Sequence, residues 1–248
     1  MTDMIAAARG ILADAQNLVA FTGAGMSADS GLDTYRDAQT GLWKNVDPQA
    51  MASIDAWARD PEPMWRWYLH RKSLSEKAHP NPGHRTLAKL GAHVITQNID
   101  NLHERGGSTD VVHLHGSLFE FRCTICSRPW RGATEPDHIP ECPLCGNLIR
   151  PGVVWFGEAL PPREWDKAEQ LLSTADALII VGTSGVVQPA AGLPRLAAAR
   201  GVPVIEITPQ PTELTPLATV QVTGRAGDIL PNLFNIYQPL SLKNTGVI

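Results

Sequence analysis

Thr96–Ser117, TQNIDNLHERGGSTDVVHLHGS, sets three histidines among amides and carboxylates beside two short apolar runs. His93–Thr96 (HVIT) leads into the stretch, and Val111–Leu114 (VVHL) lies inside it. Each run reads as a parallel strand buried on both faces. Each also ends in polar residues rather than in a plain turn. In open α/β sheets, ligands bind outside the carboxyl ends of strands. Asn98, Asp100 and His115 therefore stand where chemistry is expected.

Similar runs recur outward from this point, at Leu18–Phe21, Ala177–Val181, Val202–Ile207 and Thr219–Val222. Helical stretches such as Arg163–Thr174 and Leu193–Arg200 alternate with them. The pattern predicts an α/β fold, a Rossmann-like doubly wound parallel sheet. Two regions break the rhythm. Asp33 to about Leu90 holds no convincing strand, is rich in Trp and Pro, and signals helix starts at Asp47-Pro48 and Asp60-Pro61. Phe119–Arg150 carries all four cysteines and little periodicity. Both are expected to join in a smaller domain. The Rossmann-like domain would then comprise residues 1–33, 91–118 and 151–248, with a helical module at 34–90 and a zinc-binding module at 119–150.

Composition narrows the function classes. Among 248 residues, 43% are apolar and 19% charged, which describes an ordinary globular protein. A formal charge of −4 and the lack of a basic block disfavour sequence-independent nucleic-acid binding. The opening MTDMIAAARGILADAQ reads as a helix interrupted by Arg9 and Asp14, not as a signal peptide. No run approaches the roughly eighteen apolar residues of a membrane span. A cytoplasmic protein is the simplest expectation.

Two loops invite a nucleotide. Gly23, Gly25 and Ala28 in FTGAGMSADSG fit a G-x-G-x-x-G/A turn, where absent side chains let backbone N–H groups approach a pyrophosphate. A tight structural turn fits the same residues. The dehydrogenase version wants a second strand ending in an acid about 20 positions on, and TGLWKNVDP looks like a loop. Gly182-Thr183-Ser184 after ALIIV is either a phosphate or ribose loop or a helix N-cap.

Cys123-x-x-Cys126 and Cys142-x-x-Cys145 are separated by fifteen residues, a zinc-ribbon spacing. Four thiolates complete a tetrahedral site and leave no open position for substrate, so one structural Zn²⁺ is expected. Two disulfides are the alternative, disfavoured in a reducing compartment.

Taken in chain order, GAGMSADSG with Tyr35-Arg36, TQNIDNLHERGG, HLHGS, the two CxxC pairs, RPGVVWFGE, GTSGVVQPAAG and GRAGDILP span residues 20 to 231. The ordered set resembles the sirtuin family of NAD-dependent protein lysine deacylases. The resemblance implies that the NAD phosphates lie against Gly23, Ala24 and Gly25 with Arg36 nearby. It puts Gln97, Asn98, Ile99 and Asp100 around nicotinamide and makes His115 the general base. Gly182, Thr183 and Ser184 would contact the adenosine half, and the Gly224–Asp228 loop, with Ala226, would approach the adenine. The Val153–Glu158 strand, with Val153, Trp155 and Phe156, would pair with the substrate peptide by β-augmentation. An imidazole suits the expected proton abstraction at neutral pH. His113 and His103 read instead as packed or hydrogen-bonded histidines.

Acyl choice points elsewhere. Tyr68 and Arg71 lie at i and i+3, on one helix face. A phenol beside a guanidinium can bind a carboxylate, although from spacing alone an ordinary amphipathic helix, with Tyr half buried and Arg solvated, is the commoner reading. This Y-x-x-R pair resembles the mark of the sirtuin subgroup that removes succinyl and malonyl groups. Departures from the family pattern are Asp33-Thr34-Tyr35-Arg36, where Pro-Thr-Phe-Arg is usual, and Thr208, where an Asn usually contacts the ribose. The resemblance thus implies an enzyme acting on acylated lysines of proteins with NAD and one zinc ion; charge and apolar run lengths point to neither nucleic-acid nor membrane partners. The alternatives are an ADP-ribosyltransferase on the same scaffold and a non-enzymatic NAD- or ADP-ribose-binding zinc-ribbon module.

Overall fold

The computed structural model describes residues 2–32 and 52–234. Asp33, Thr34, Tyr35, Arg36 and the helix start at Asp47-Pro48 lie outside the described residues. With elements numbered in chain order, six strands form one parallel sheet: β1 (Leu18–Thr22), β2 (His93–Thr96), β3 (Val111–His113), β7 (Ala177–Val181), β8 (Val204–Thr208) and β9 (Val220–Thr223). Their spatial order is β3-β2-β1-β7-β8-β9. The chain winds from β1 to one side, then returns past it to β7 and continues on the other. β1 and β7 thus flank the topological switch point, where a ligand crevice opens at the carboxyl ends.

Alternation along each strand feeds two cores, one per face. Ala20, Val94, Ile179 and Ile205 pack with Leu12 of α1 (Thr2–Asp14), Leu87 of α5 (Pro82–Lys89) and Leu230 of α9 (Ala226–Phe234). Val19, Phe21, Ile95, Leu178 and Ile180 pack with Leu172 of α7 (Pro162–Thr174) and Leu193 of α8 (Leu193–Ala199). The strand after Gly201 starts at Val204 rather than at Val202, since Pro203 has no N–H for a ladder. Placing residues up to 90 in the smaller module misassigns α5. Leu87 is fully buried in the first core, and the helix packs against α9.

The smaller module contains α3 (Ile54–Arg59), α4 (Pro61–Lys77) and an antiparallel sheet of β4 (Gly116–Cys123), β5 (Pro129–Trp130) and β6 (Ile149–Val153). β4 runs through the expected boundary at 118/119 and carries the chain from the large sheet directly to Cys123. Trp57, Trp65, Tyr68, Phe121, Ile149 and Trp155 make its core. Trp65 donates its indole N–H to the Glu135 carbonyl (2.7 Å) and meets Phe121 edge-on at 5.5 Å. α4 starts at Pro61, as Asp60-Pro61 predicts, although Asp60 makes no side-chain cap.

The expected strand over Val153–Glu158 ends at Val153. Beyond it Phe156 makes one parallel bridge, with Ser53. The following residues are folded into a turn by Glu158. Its carboxylate accepts from the Trp155 N–H (2.8 Å) and, in a bidentate pair, from the buried Arg150 (2.5 and 2.9 Å). Gly157, at φ +86°, supplies the left-handed residue that this turn requires.

Candidate functional site

Six loops meet outside the carboxyl ends of the large sheet, one after each strand. The glycine turn after β1 packs directly on the loop after β7. Gly23 N–H donates to Val181 O (3.0 Å) and Gly25 N–H to Gly182 O (2.8 Å). A Cβ on Gly25 would lie 2.7 Å from the Gly182 Cα, and one on Gly182 would lie 2.4 Å from the Met26 nitrogen. Gly182 also has φ +62°. These glycines are required by the contact of one loop with the other. The N–H groups of Gly23 and Gly25 are thereby engaged by carbonyl groups of the neighbouring strand end.

The loop after β2 is tied to the same turn. Asn98 gives both amide hydrogens away, to the Gly23 carbonyl and to Ser27 Oγ (3.1 Å each). Ser27 donates to Asp100 Oδ2 (2.9 Å), and Leu102 N–H to Oδ1 (3.0 Å). A carboxylate has about four acceptor positions, so capacity remains for a ligand N–H. Burial raises the Asp100 pKa, opposed by the Leu102 and Ser27 bonds. Gln97 reaches across the switch point to Thr183 Oγ1 (2.7 Å). Ile99 turns the other way and packs with the aromatic core of the small module.

His115 follows β3. Its Nδ1 lies 3.0 Å from the Gln97 carbonyl. A carbonyl can only accept, so Nδ1 carries the proton, and the neutral ring keeps its lone pair on Nε2. Burial lowers the His115 pKa below the ordinary histidine value, with the Gln97 bond resisting. The ring is thereby held neutral, as a proton acceptor at neutral pH. His103 is a structural histidine, buried with Nε2 3.0 Å from Thr22 Oγ1. His113 is held by two acceptors, the Asn98 carbonyl (2.9 Å) and the Glu104 carboxylate (2.7 Å).

The last two loops close the far side. Gly224 N–H donates to Thr208 O (3.1 Å), and the Thr208 hydroxyl is engaged by the Gln210 carbonyl (2.7 Å). Ala226 begins α9, and Gly227 N–H donates to Asp29 (3.0 Å), whose other oxygen pairs with Arg225 (2.8 Å). The sequence reading did not single out Ser27, Asp29 or Asn81, which bind these loops together. Asn81 had a legible signal: Asn before Pro is an N-cap with Pro at N1. It caps α5 in a capping box with His84 and donates to the Met26 carbonyl (2.8 Å).

Tyr68 and Arg71 share one face of α4, as their spacing predicts. The Arg71 guanidinium lies 4.7 Å over the Trp67 ring and 5.8 Å from that of Tyr68. Burial raises the Tyr68 pKa to about 12, so the phenol stays protonated and a donor. Burial lowers the Arg71 pKa, while the electrostatic influence of Tyr68 and Asp100 resists. That influence of Asp100 ties this pair to the 97–100 loop. Trp155, 6.2 Å from the Tyr68 ring, is buried rather than open to a ligand, whereas Phe156 is 42% exposed. The Val154 and Phe156 N–H groups donate to His115 O and Ala52 O (2.9 and 2.8 Å). A peptide laid along this edge would have to donate its own N–H groups.

The four cysteine sulfurs lie within 4.8 Å of one another, with Cys123–Cys145 and Cys126–Cys142 at 3.5 and 3.7 Å. These distances exceed a disulfide bond of about 2.05 Å. They match the edge of a thiolate tetrahedron, about 3.8 Å for Zn–S bonds near 2.3 Å. Each knuckle turns on a left-handed residue after its second cysteine, Ser127 at φ 56° and Gly146 at φ 71°.

Comparison with known proteins agrees with this geometry. The Sir2 family model matches residues 23–189. A protein of Corynebacterium efficiens called NAD-dependent protein deacylase 2 is 60% identical over 243 residues, covering 92% of this chain and 94% of its own. One of Mycobacterium tuberculosis, called NAD-dependent protein deacylase, is 50% identical over 222 residues, covering 86% and 94%. Among solved structures, a Sir2 homologue in complex with NAD superposes with a TM-score of 0.87 at 45% identity, covering 92% of this chain and 91% of that one. Sir2Af2 bound to a myristoylated histone peptide superposes with a TM-score of 0.77 at 35% identity, covering 95% and 96%.

Proposed function

The chain belongs to the Sir2 family, and from that premise we propose an NAD-dependent protein lysine deacylase, releasing nicotinamide and 2′-O-acyl-ADP-ribose. The observation that carries the reading is the pairing of a neutral, Nε2-basic His115 with the buried Asn98–Asp100 segment on the same backbone bond system. NAD, when bound, would supply nicotinamide as the leaving group and a ribose whose hydroxyl oxygen accepts the acyl group. Asp100 and the Oδ1 of Asn98 accept from a carboxamide and orient it. His115 Nε2 removes a proton from a ribose hydroxyl, and the Gln97 carbonyl stabilises the imidazolium that results. Gly23, Ala24, Gly25, Gly182, Thr183, Ser184, Thr208 and Ala226 are the proposed lining for the remainder of the dinucleotide, with Arg36 added from outside the described residues. Cys123, Cys126, Cys142 and Cys145 would hold one structural zinc ion.

The acyl preference is for succinyl and malonyl groups beside acetyl. Support comes from Tyr68 and Arg71 on one helix face: a protonated phenol and a guanidinium offer donors that a terminal carboxylate accepts in parallel. Val153, Trp155 and Phe156 are proposed to receive the acylated peptide of a partner protein. The large unit of residues 1–33, 91–118 and 151–248, which also takes in α5, would bind NAD. The remaining helical and zinc modules would present the acyl pair. Among the described residues no helix is long and apolar enough to cross a membrane.

Nicotinamide release on matched acetyl, malonyl and succinyl peptides tests the reading. His115→Ala should abolish deacylated product. Arg71→Met should lower succinyl turnover at least tenfold while largely sparing acetyl turnover, and equal loss on both would end the acyl assignment. ADP-ribosylated protein in place of acyl-ADP-ribose would identify a transferase instead.

A further inference from the structure

His113 and His115 hold consecutive carbonyls of one loop, Asn98 O and Gln97 O, each through Nδ1 (2.9 and 3.0 Å). Their outer nitrogens differ. His113 Nε2 is 2.7 Å from the Glu104 carboxylate, which leaves it between two groups that can only accept. Only a doubly protonated imidazolium satisfies both at once. Burial pulls the His113 pKa down, but the bond and charge of Glu104 outweigh it, and the net shift is upward. His115 is shifted the other way. The strand end thus carries one cationic and one neutral histidine on the same loop.

We propose that His113, clamped between the Asn98 carbonyl and Glu104, is a positioning residue that holds the 97–100 segment in its binding shape and releases it on losing a proton. The reasoning runs through Asn98. Its carbonyl is fixed by His113 while its amide is fixed by Gly23 and Ser27. Asp100, two residues on, is oriented by the same Ser27. A His113 that has lost one N–H keeps only one of its two bonds, so either the loop carbonyl or α6 (Leu102–Arg105) is freed. The groups facing the imidazole are Glu104 and His103 on α6 and Asp100 on the loop. His103 is driven neutral, foremost by burial, and adds no charge. Lys167, on the helix packed against β3, is engaged by Asp110, the residue just before that strand.

The sign follows from the upward shift. The clamp is intact below the His113 pKa and is lost as pH rises through it, so nicotinamide handling acquires an alkaline limb. This rests on the 97–100 segment being the nicotinamide pocket. The test therefore has one arm with enzyme activity and one without. In the first, exchange of labelled nicotinamide into NAD is followed from about pH 5.5 to 9.5 on acylated peptide. Glu104→Gln keeps an acceptor but removes the charge and should move the alkaline midpoint down by about one pH unit. His113→Gln cannot titrate; it should raise the KM for NAD severalfold and abolish that limb. An unshifted limb in Glu104→Gln overturns the proposal. In the second arm, ¹⁵N-histidine NMR of the intact protein should find both His113 nitrogens protonated at pH 6, and His115 neutral and protonated at Nδ1 at pH 7. A neutral His113 at pH 6 overturns the proposal without reference to activity. Should wild type exchange no nicotinamide at any pH, the deacylase reading fails, and the NMR arm still decides the clamp. Thermal melting confirms that His113→Gln is folded; if it is not, Glu104→Gln and the NMR arm decide.

Discussion

The two halves of the molecule hold their functional loops by different means. On the sheet side, loops are fixed by the backbone itself: Gly23 and Gly25 lie on Val181 and Gly182 with no room for a Cβ, and buried amides and hydroxyls lace the rest. On the small side, helix α4 and the 153–158 turn are fixed by side chains: five buried tryptophan, tyrosine and phenylalanine rings, one buried Arg150–Glu158 pair and four thiolates. The first half has a two-faced core large enough to stand alone. The second is too small to fold on apolar burial only and needs a staple. The sheet side should therefore be sensitive to single atoms, and the small side to whether the staple is present.

Removal of zinc tests this most severely. Structural zinc sites contribute on the order of 10 kcal/mol or more, beyond what the small core can replace. Chelation, or Cys142→Ser, should unfold the module and shift the emission of Trp57, Trp65 and Trp155 to the red, while the sheet retains its far-ultraviolet dichroism. Metal analysis should find about one zinc per chain, from the four-thiolate geometry. Survival of the tryptophan environment without metal would break the contrast.

A single methyl group tests the sheet side. Gly182→Ala combines a left-handed backbone with a Cβ 2.4 Å from the Met26 nitrogen. The expected loss is about 3 kcal/mol, from overpacking and strain together. NAD binding by calorimetry should weaken with it, and unchanged melting would show that the two loops are not locked together.

The smallest effect sits at the first zinc knuckle. Ser127 occupies a left-handed position at φ 56° that Gly146 fills in the second knuckle at φ 71°. Ser127→Gly should stabilise the protein by about 0.5–1 kcal/mol. Replacing Gly146 with Ser should do the reverse. Both are read as shifts in melting temperature of about 2–4 °C.

Much of this was legible in residue order. All six strands of the large sheet are visible as apolar runs, because burial on both faces removes the need for polar alternation. The cysteine spacing predicts the cluster, since each CxxC closes on itself locally. The Tyr68–Arg71 pairing is equally local, one helical turn. Less visible were β4 and β6: their ladder pairs residues about thirty apart, and Gly152 and Pro151 hide the second strand. The Val153–Glu158 run looked like a continuous strand because its apolar residues do not reveal that Glu158 reaches back to Arg150 and Trp155. Helix α5 was read with the wrong half because nothing in its sequence says which core Leu87 enters.

The sequence by itself determined the class of the fold, the zinc ligands and the roster of polar residues at strand ends, since each depends on periodicity or on short spacing. Only the tertiary structure distinguished the histidines of Thr96–Ser117. His103, His113 and His115 are the same side chain within thirteen residues. Thr22, Glu104 and the Gln97 carbonyl, brought to them by different elements, leave one a buried strut, one between two acceptors and one with its proton on Nδ1. The physical reason is that a histidine's proton count is set by burial and by what its two nitrogens face, and neither is written in the local sequence.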